Sequence, residues 1–91
     1  MNQAAAETSA QLALSGELTI YCAHELRTLL LTALGMNQDV CIDLGEVSDI
    51  DTAGLQLLLI SRRELEENSH RLLIHNCPTH LTGLLKLYQL A

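Results

Sequence analysis

Asp39-Val40-Cys41-Ile42-Asp43-Leu44 alternates with a period of two, and the segment from about Thr52 to Glu67 then switches to helical periodicity. Arg71-Leu72-Leu73-Ile74-His75 follows as another strand, so the chain contains a strand–helix–strand unit. Such a unit commits it to a sheet with helices packed on it, joined by right-handed crossovers. Upstream, Leu12-Ala13-Leu14 and Glu17-Leu18-Thr19-Ile20 flank Ser15-Gly16, which reads as two short strands around a turn. From Cys22 to Leu34, the residues Leu26, Leu29, Leu30 and Ala33 fall at helical spacing, with Gly35 where a C-terminal cap belongs. Gly45 to Ile50 reads as a loop. Pro78 suits the first turn of a last helix whose apolar face is Leu81, Leu84, Leu85 and Tyr88. The expected fold class is α/β: a small mixed β-sheet with helices packed against it, in the order β-β-α-β-α-β-α.

Ninety-one residues make one domain, expected to span 10–91 behind a small, polar, disordered tail at 1–9. With no Trp, no Phe and only Tyr21 and Tyr88, the core falls to Leu, Ile, Val and Ala. Five Lys and Arg against eleven Asp and Glu, a net charge of −6, argue against nucleic acid as a partner. The start lacks the basic and apolar regions of a signal peptide, and no apolar run is long enough for direct membrane insertion. Cys22, Cys41 and Cys77 cannot all pair, so reduced thiols in a cytoplasmic protein are expected.

No catalytic constellation stands out. Ser15 and Ser61 have no assignable base, and the glycines are scattered rather than gathered into a phosphate-binding loop. His75, Cys77 and His80 fall short of a structural zinc set. Asp43, Glu46, Asp49 and Asp51 read as a solvated acidic run. The chain is therefore expected to be no enzyme, with no cofactor and no metal.

The second helix is the informative element. Projected at roughly 100° per residue, Gly54, Leu55, Leu58 and Leu65 gather on a buried side, and Thr52, Gln56, Arg63 and Glu67 on the opposite one. Leu59 and Ile60 flank that polar stripe. Either they are covered, as part of a helix apolar almost all round, or they form a docking patch near the helix start. Asp51 and Thr52 also admit two readings. Both residue types are common N-caps, a purely structural role. Alternatively the Thr52 hydroxyl accepts a phosphoryl group, whose charge beside Asp49 and Asp51 would weaken a partner docked there.

Val40-Cys41-Ile42-Asp43-Leu44, Val47 and Ile50-Asp51-Thr52-Ala53-Gly54-Leu55-Gln56-Leu57-Leu58 together resemble the central signature of STAS domains, the bacterial anti-sigma factor antagonist type. Leu14-Ser15-Gly16-Glu17-Leu18 resembles that family's first turn and Leu72-Leu73-Ile74 its later strand, so the likeness covers roughly residues 11–90. The resemblance implies that Thr52 is phosphorylated by an ATP-dependent partner kinase. It also implies that the unmodified form binds that kinase or an anti-sigma factor through the second helix and its neighbouring loops. Ser48, Asp49, Asp51, Ala53, Gly54, Gln56, Leu59, Ile60 and Arg63 are the expected partner-binding residues, in a monomer or weak dimer. Many members carry Asp where this chain has Thr19. Glu17 to Tyr21, with Ala23, Glu25 and Leu26, looks more like stand-alone STAS proteins of bacterial chemotaxis signalling. The cytosolic STAS subunit of the Mla phospholipid-transport ATPase is also similar, through Asp-Thr-Ala-Gly and a last helix like Leu85 to Leu90. It implies instead an accessory subunit bound to a transporter ATPase.

Overall fold

The computed structural model describes residues 9–90. The expected tail therefore lies outside the described residues, apart from Ser9, where the first strand begins. Strand β1 (Ser9–Leu18) leads through a single 3-10 turn (Ile20–Cys22) into helix α1 (Ala23–Leu34). Strand β2 (Asp39–Ile50), helix α2 (Thr52–Glu67), strand β3 (Leu72–His75) and helix α3 (Thr79–Leu87) follow. Both strand-to-strand links run through a helix, and β1, β2 and β3 lie side by side in that order.

The α/β class and the succession of helices and strands agree with the sequence reading; the first half of the sheet differs in detail. The two short strands expected around Ser15-Gly16 are one strand, so no hairpin forms and the described sheet is wholly parallel rather than mixed. Gly16 does adopt the left-handed backbone of a turn residue, with φ 76°. It does so inside a strand that bends.

The expected loop from Gly45 to Ile50 is likewise the second half of β2. Ala13 pairs with Asp43 but Ser15 with Glu46, and Gly16 pairs with Val47 but Glu17 with Asp49. At each of these steps β2 advances one residue more than β1, the signature of a bulge. Leu44, Val47 and Ile50 consequently reach the core at a spacing of three residues. The bulges carry β2 to the corner where α2 begins.

α1 and α2 pack on each other, and α2 also touches all three strands, as two crossovers of one hand on a parallel sheet require. Between helices and sheet lie Leu26, Leu30, Val40, Ile42, Leu44, Leu58 and Leu65, with Leu81 and Leu85 from α3 joining the same cluster. The core is aliphatic, as composition demands. Leu29, expected on the buried stripe of α1, is instead 45% exposed, and Tyr88 also lies largely outside the core. Gly35 ends α1 with a right-handed φ of −68°, and the left-handed residue of that turn is Asn37. α3 is held at its far end by Arg62, whose guanidinium donates to the carbonyls of Tyr88 and Gln89 at 3.1 and 2.7 Å. None of the described helices is long and apolar enough to cross a membrane.

Candidate functional site

Asp51 is the residue on which the β2–α2 corner is built. Its N–H donates to the carbonyl of Leu18 at the end of β1, at 3.1 Å. One carboxylate oxygen accepts from the Gly54 N–H at 3.1 Å and the other from the Ile20 N–H at 3.0 Å. Its own carbonyl accepts the first helical bond, from Leu55 N–H at 3.0 Å. A single side chain thus caps α2 and pins the 3-10 turn over the helix start, using N–H groups that a helix otherwise leaves unsatisfied.

Those donors favour the charged carboxylate. The Gly54 N–H is the largest influence, with Ile20 and Ala53 adding to it, and together they hold Asp51 below the ordinary carboxylate range against an opposing desolvation. Stability from a carboxylate lowered in this way is fully present above the unfolded value, about 3.9, and is lost as pH falls through the folded value. Asp43 is lowered in the same sense, by the Gly45 N–H and the Asn76 amide. Acid unfolding of the wild type is therefore expected to steepen below about pH 4. Asp51→Asn should flatten that limb without removing the share due to Asp43. Denaturant midpoints collected at a series of pH values check this, and an unchanged acid limb in the variant would contradict it.

Because Asp51 supplies the cap, Thr52 is released from that task. It is the first residue of α2 and is exposed. Of the residues expected at a partner surface, Gln56, Ile60 and Arg63 are exposed along the same helix, and with half-buried Leu59 they line one shallow hollow. Leu59 and Ile60 divide between the two readings: Leu59 packs against the core, whereas Ile60 is 59% exposed. Ser48 and Asp49 are exposed on the last residues of β2; the Ser48 carbonyl accepts from His80 Nε2 at 2.8 Å, tying α3 to this corner. Ala53 is half-buried.

Gly54 has a packing role. Expected at the partner surface, it is buried, and a Cβ there would overlap the Leu18 carbonyl oxygen and stand 3.0 Å from the Leu18 carbonyl carbon. Glycine is required so that α2 can start against the end of β1. Thr19 caps the 3-10 turn by accepting from the Tyr21 N–H at 3.3 Å. That turn carries two surface residues the sequence reading had not assigned to the site. Ile20 is 66% exposed and Tyr21 94% exposed. The available signal was Tyr21 itself, one of two aromatics, standing between a strand and a helix start. Among the described residues no group of His, Cys, Asp or Glu forms a metal-binding cluster.

With this corner defined, the chain can be set beside known proteins. A family profile described as "Mlab, STAS domain" matches residues 1–91. The chain belongs to the STAS domain family. Among solved structures, this STAS domain superposes on the anti-sigma factor antagonist SpoIIAA in its unphosphorylated form with a TM-score of 0.72 and 22% identity. That match covers 88% of this chain and 74% of the other. SpoIIAA from Bacillus, described as a cell fate determinant, in the phosphorylated form gives 0.73 at 22% identity, over 91% and 77% of the two chains. A sulfate transporter family protein from Wolinella succinogenes gives 0.74 at 18% identity, covering 89% of this chain and 66% of its own. At these identities the likeness is one of fold. No curated sequence matches the chain.

Proposed function

We propose that this STAS domain is a non-enzymatic, cytoplasmic protein-docking module of the anti-sigma factor antagonist type, bacterial in origin, with Thr52 as its phosphorylation switch. Its partner on this reading is a serine/threonine kinase-type anti-sigma factor or a chemotaxis signalling protein. The observation that carries the proposal is the division of roles at the helix start. The Asp51 side chain caps the helix and pins the 3-10 turn over it, and Thr52 is left exposed one turn before Gln56, at the head of the surface that continues to Ile60 and Arg63. Phosphorylation adds about 1.5 to 2 negative charges at neutral pH. Placed next to Asp51 and close to Asp49, that charge raises both the repulsion and the desolvation cost of any surface docked over α2. Incubation with the cognate kinase and ATP, followed by mass spectrometry, tests it. Phosphate is expected on Thr52 of the wild type and absent from Thr52→Ala; an unmodified wild type, or an equally modified variant, would end the switch reading.

A second reading is favoured by the family description, which names the Mla type of STAS domain. Here the domain is an accessory subunit of a phospholipid-transport ABC ATPase, and Thr52 is a contact that never carries phosphate. Stable co-purification with an ATPase subunit, lost on Thr52→Glu but kept in Thr52→Ser, is the expected outcome. Recovery of a kinase in place of an ATPase would decide for the first reading.

A further inference from the structure

The charges of the described chain are sorted along the strand direction. Glu17 and Asp49 are paired neighbours in β1 and β2, both exposed near the strand ends. Asp51 caps α2 one residue after β2, and Glu25 stands in the first turn of α1, sharing a hollow with Glu17. Every lysine and arginine lies elsewhere. Arg62 and Arg63 belong to the far half of α2, Lys86 to the last turn of α3, and Arg71 precedes β3 at the other end of the sheet. Arg27 lines the groove between α1 and α2 together with Glu64 and Asn68. The histidine–carboxylate contact found among the described residues, His70 Nδ1 with Asp39 at 3.5 Å, is also at the far end. The Glu17–Asp49 pairing thus sets like charges side by side at the strand ends, and no lysine or arginine among the described residues forms an ion pair with either.

Amid this acidic ring the 3-10 turn presents Ile20 and Tyr21, the latter almost wholly exposed. The turn is fixed by the Asp51 and Thr19 hydrogen bonds to the Ile20 and Tyr21 N–H groups. An aromatic ring carried on a pinned backbone brings large contact area with few side-chain torsions to fix, the property of residues that dominate interface energies. The surrounding carboxylates supply the long-range attraction that orients an approaching surface of opposite sign.

Granting the docking reading of this corner, on which the inference rests, we infer that Tyr21 is the anchor of the interface and that its partner is a protein presenting an apolar pocket bordered by Lys or Arg. Nucleic acid and anionic lipid are repelled by the same carboxylates, and so is a second copy approaching through the same face. The carboxylate ring acts on encounter over several ångströms of solvent. A phosphate on Thr52 acts at contact, through bulk and desolvation, so the two effects are separable.

A photo-crosslinking phenylalanine derivative, which keeps an aromatic ring at the anchor, placed at position 21 or, in a separate protein, at position 56 reads this out. The full chain is irradiated in native lysate and the joined peptides are sequenced. Both probes are expected to reach one protein, and the peptide joined at position 21 to combine apolar residues with Lys or Arg. Its yield should fall about tenfold or more between about 0.05 M and about 0.5 M salt, and likewise in the Glu17→Lys, Asp49→Lys double variant. With the captured protein purified, Tyr21→Ala should weaken binding at least about 30-fold at an unchanged melting temperature. Crosslinking from position 56 alone, an acidic peptide, a peptide of this same chain, or salt-insensitive capture each overturn the inference while leaving the docking reading in place. No crosslink from either position overturns both.

Discussion

Gly54→Ala is expected to lower the stability of the domain by about 2 kcal/mol net, although alanine is the better helix former. The gain in helix propensity is about 1 kcal/mol. Against it stands a Cβ driven into the carbonyl oxygen of Leu18, with the Leu18 carbonyl carbon and Cβ both at 3.0 Å. A backbone group fixed in a sheet cannot swing aside as a side-chain tip would, so the cost falls at the upper end of overpacking, about 3 kcal/mol. In a domain of this size that corresponds to a melting temperature lower by roughly 10 °C. The same displacement opens the Asp51 contacts to Leu18 and Ile20, so partner binding should decline with stability. Chemical denaturation of the two proteins checks the first effect. A variant as stable as the wild type would mean that α2 does not start where the structure puts it.

The second large effect comes from two neighbouring positions on the same helix. Leu58 is 0% exposed, beneath α2, and Leu58→Ala is expected to cost about 3 to 4 kcal/mol through lost burial and the cavity left behind. Against a total stability of roughly 5 to 15 kcal/mol, that leaves a marginal protein. Two residues on, Ile60 stands 59% exposed, and Ile60→Ala should change stability by no more than about 0.5 kcal/mol. Binding is expected to respond in the opposite order per unit of stability lost. Ile60→Ala weakens the docked complex while remaining fully folded, whereas Leu58→Ala weakens it only as far as the native population falls. Unfolding curves and an affinity measurement on both variants make the comparison. Equal stability losses would contradict the orientation of α2.

That orientation was legible in the sequence because α2 is long and its apolar residues recur on one side. Thr52 to Glu67 was expected and is observed. The first half of the sheet was obscure for a definite reason. The two extra residues in β2 move Leu44, Val47 and Ile50 to a spacing of three, which removes the alternation by which a strand is recognised. Bulges are defined against a partner strand, and the pairing of β1 with β2 is not written in either segment alone. Ser15-Gly16 misled in the complementary way, since the left-handed glycine is real but belongs to a bent strand. At the site, Asp51 and Thr52 were each suitable caps by residue type. Only the bond from Gly54 N–H to the Asp51 carboxylate assigns the role. The place of Tyr21 could not be read either, because the exposure of one aromatic depends on how the preceding strand ends and the next helix begins.

The contacts that hold the corner have a further consequence. Leu18 and Ile20 take part through their main-chain groups, Gly54 through its lack of a side chain, and only Asp51 and Thr19 through side chains. The shape of the corner is therefore nearly indifferent to which side chains occupy positions 20, 21, 52 and 56. Those four places can be exchanged freely at small cost to folding, so one framework can be readdressed from one partner to another by changing its outermost residues while Thr19, Asp51 and Gly54 stay as they are.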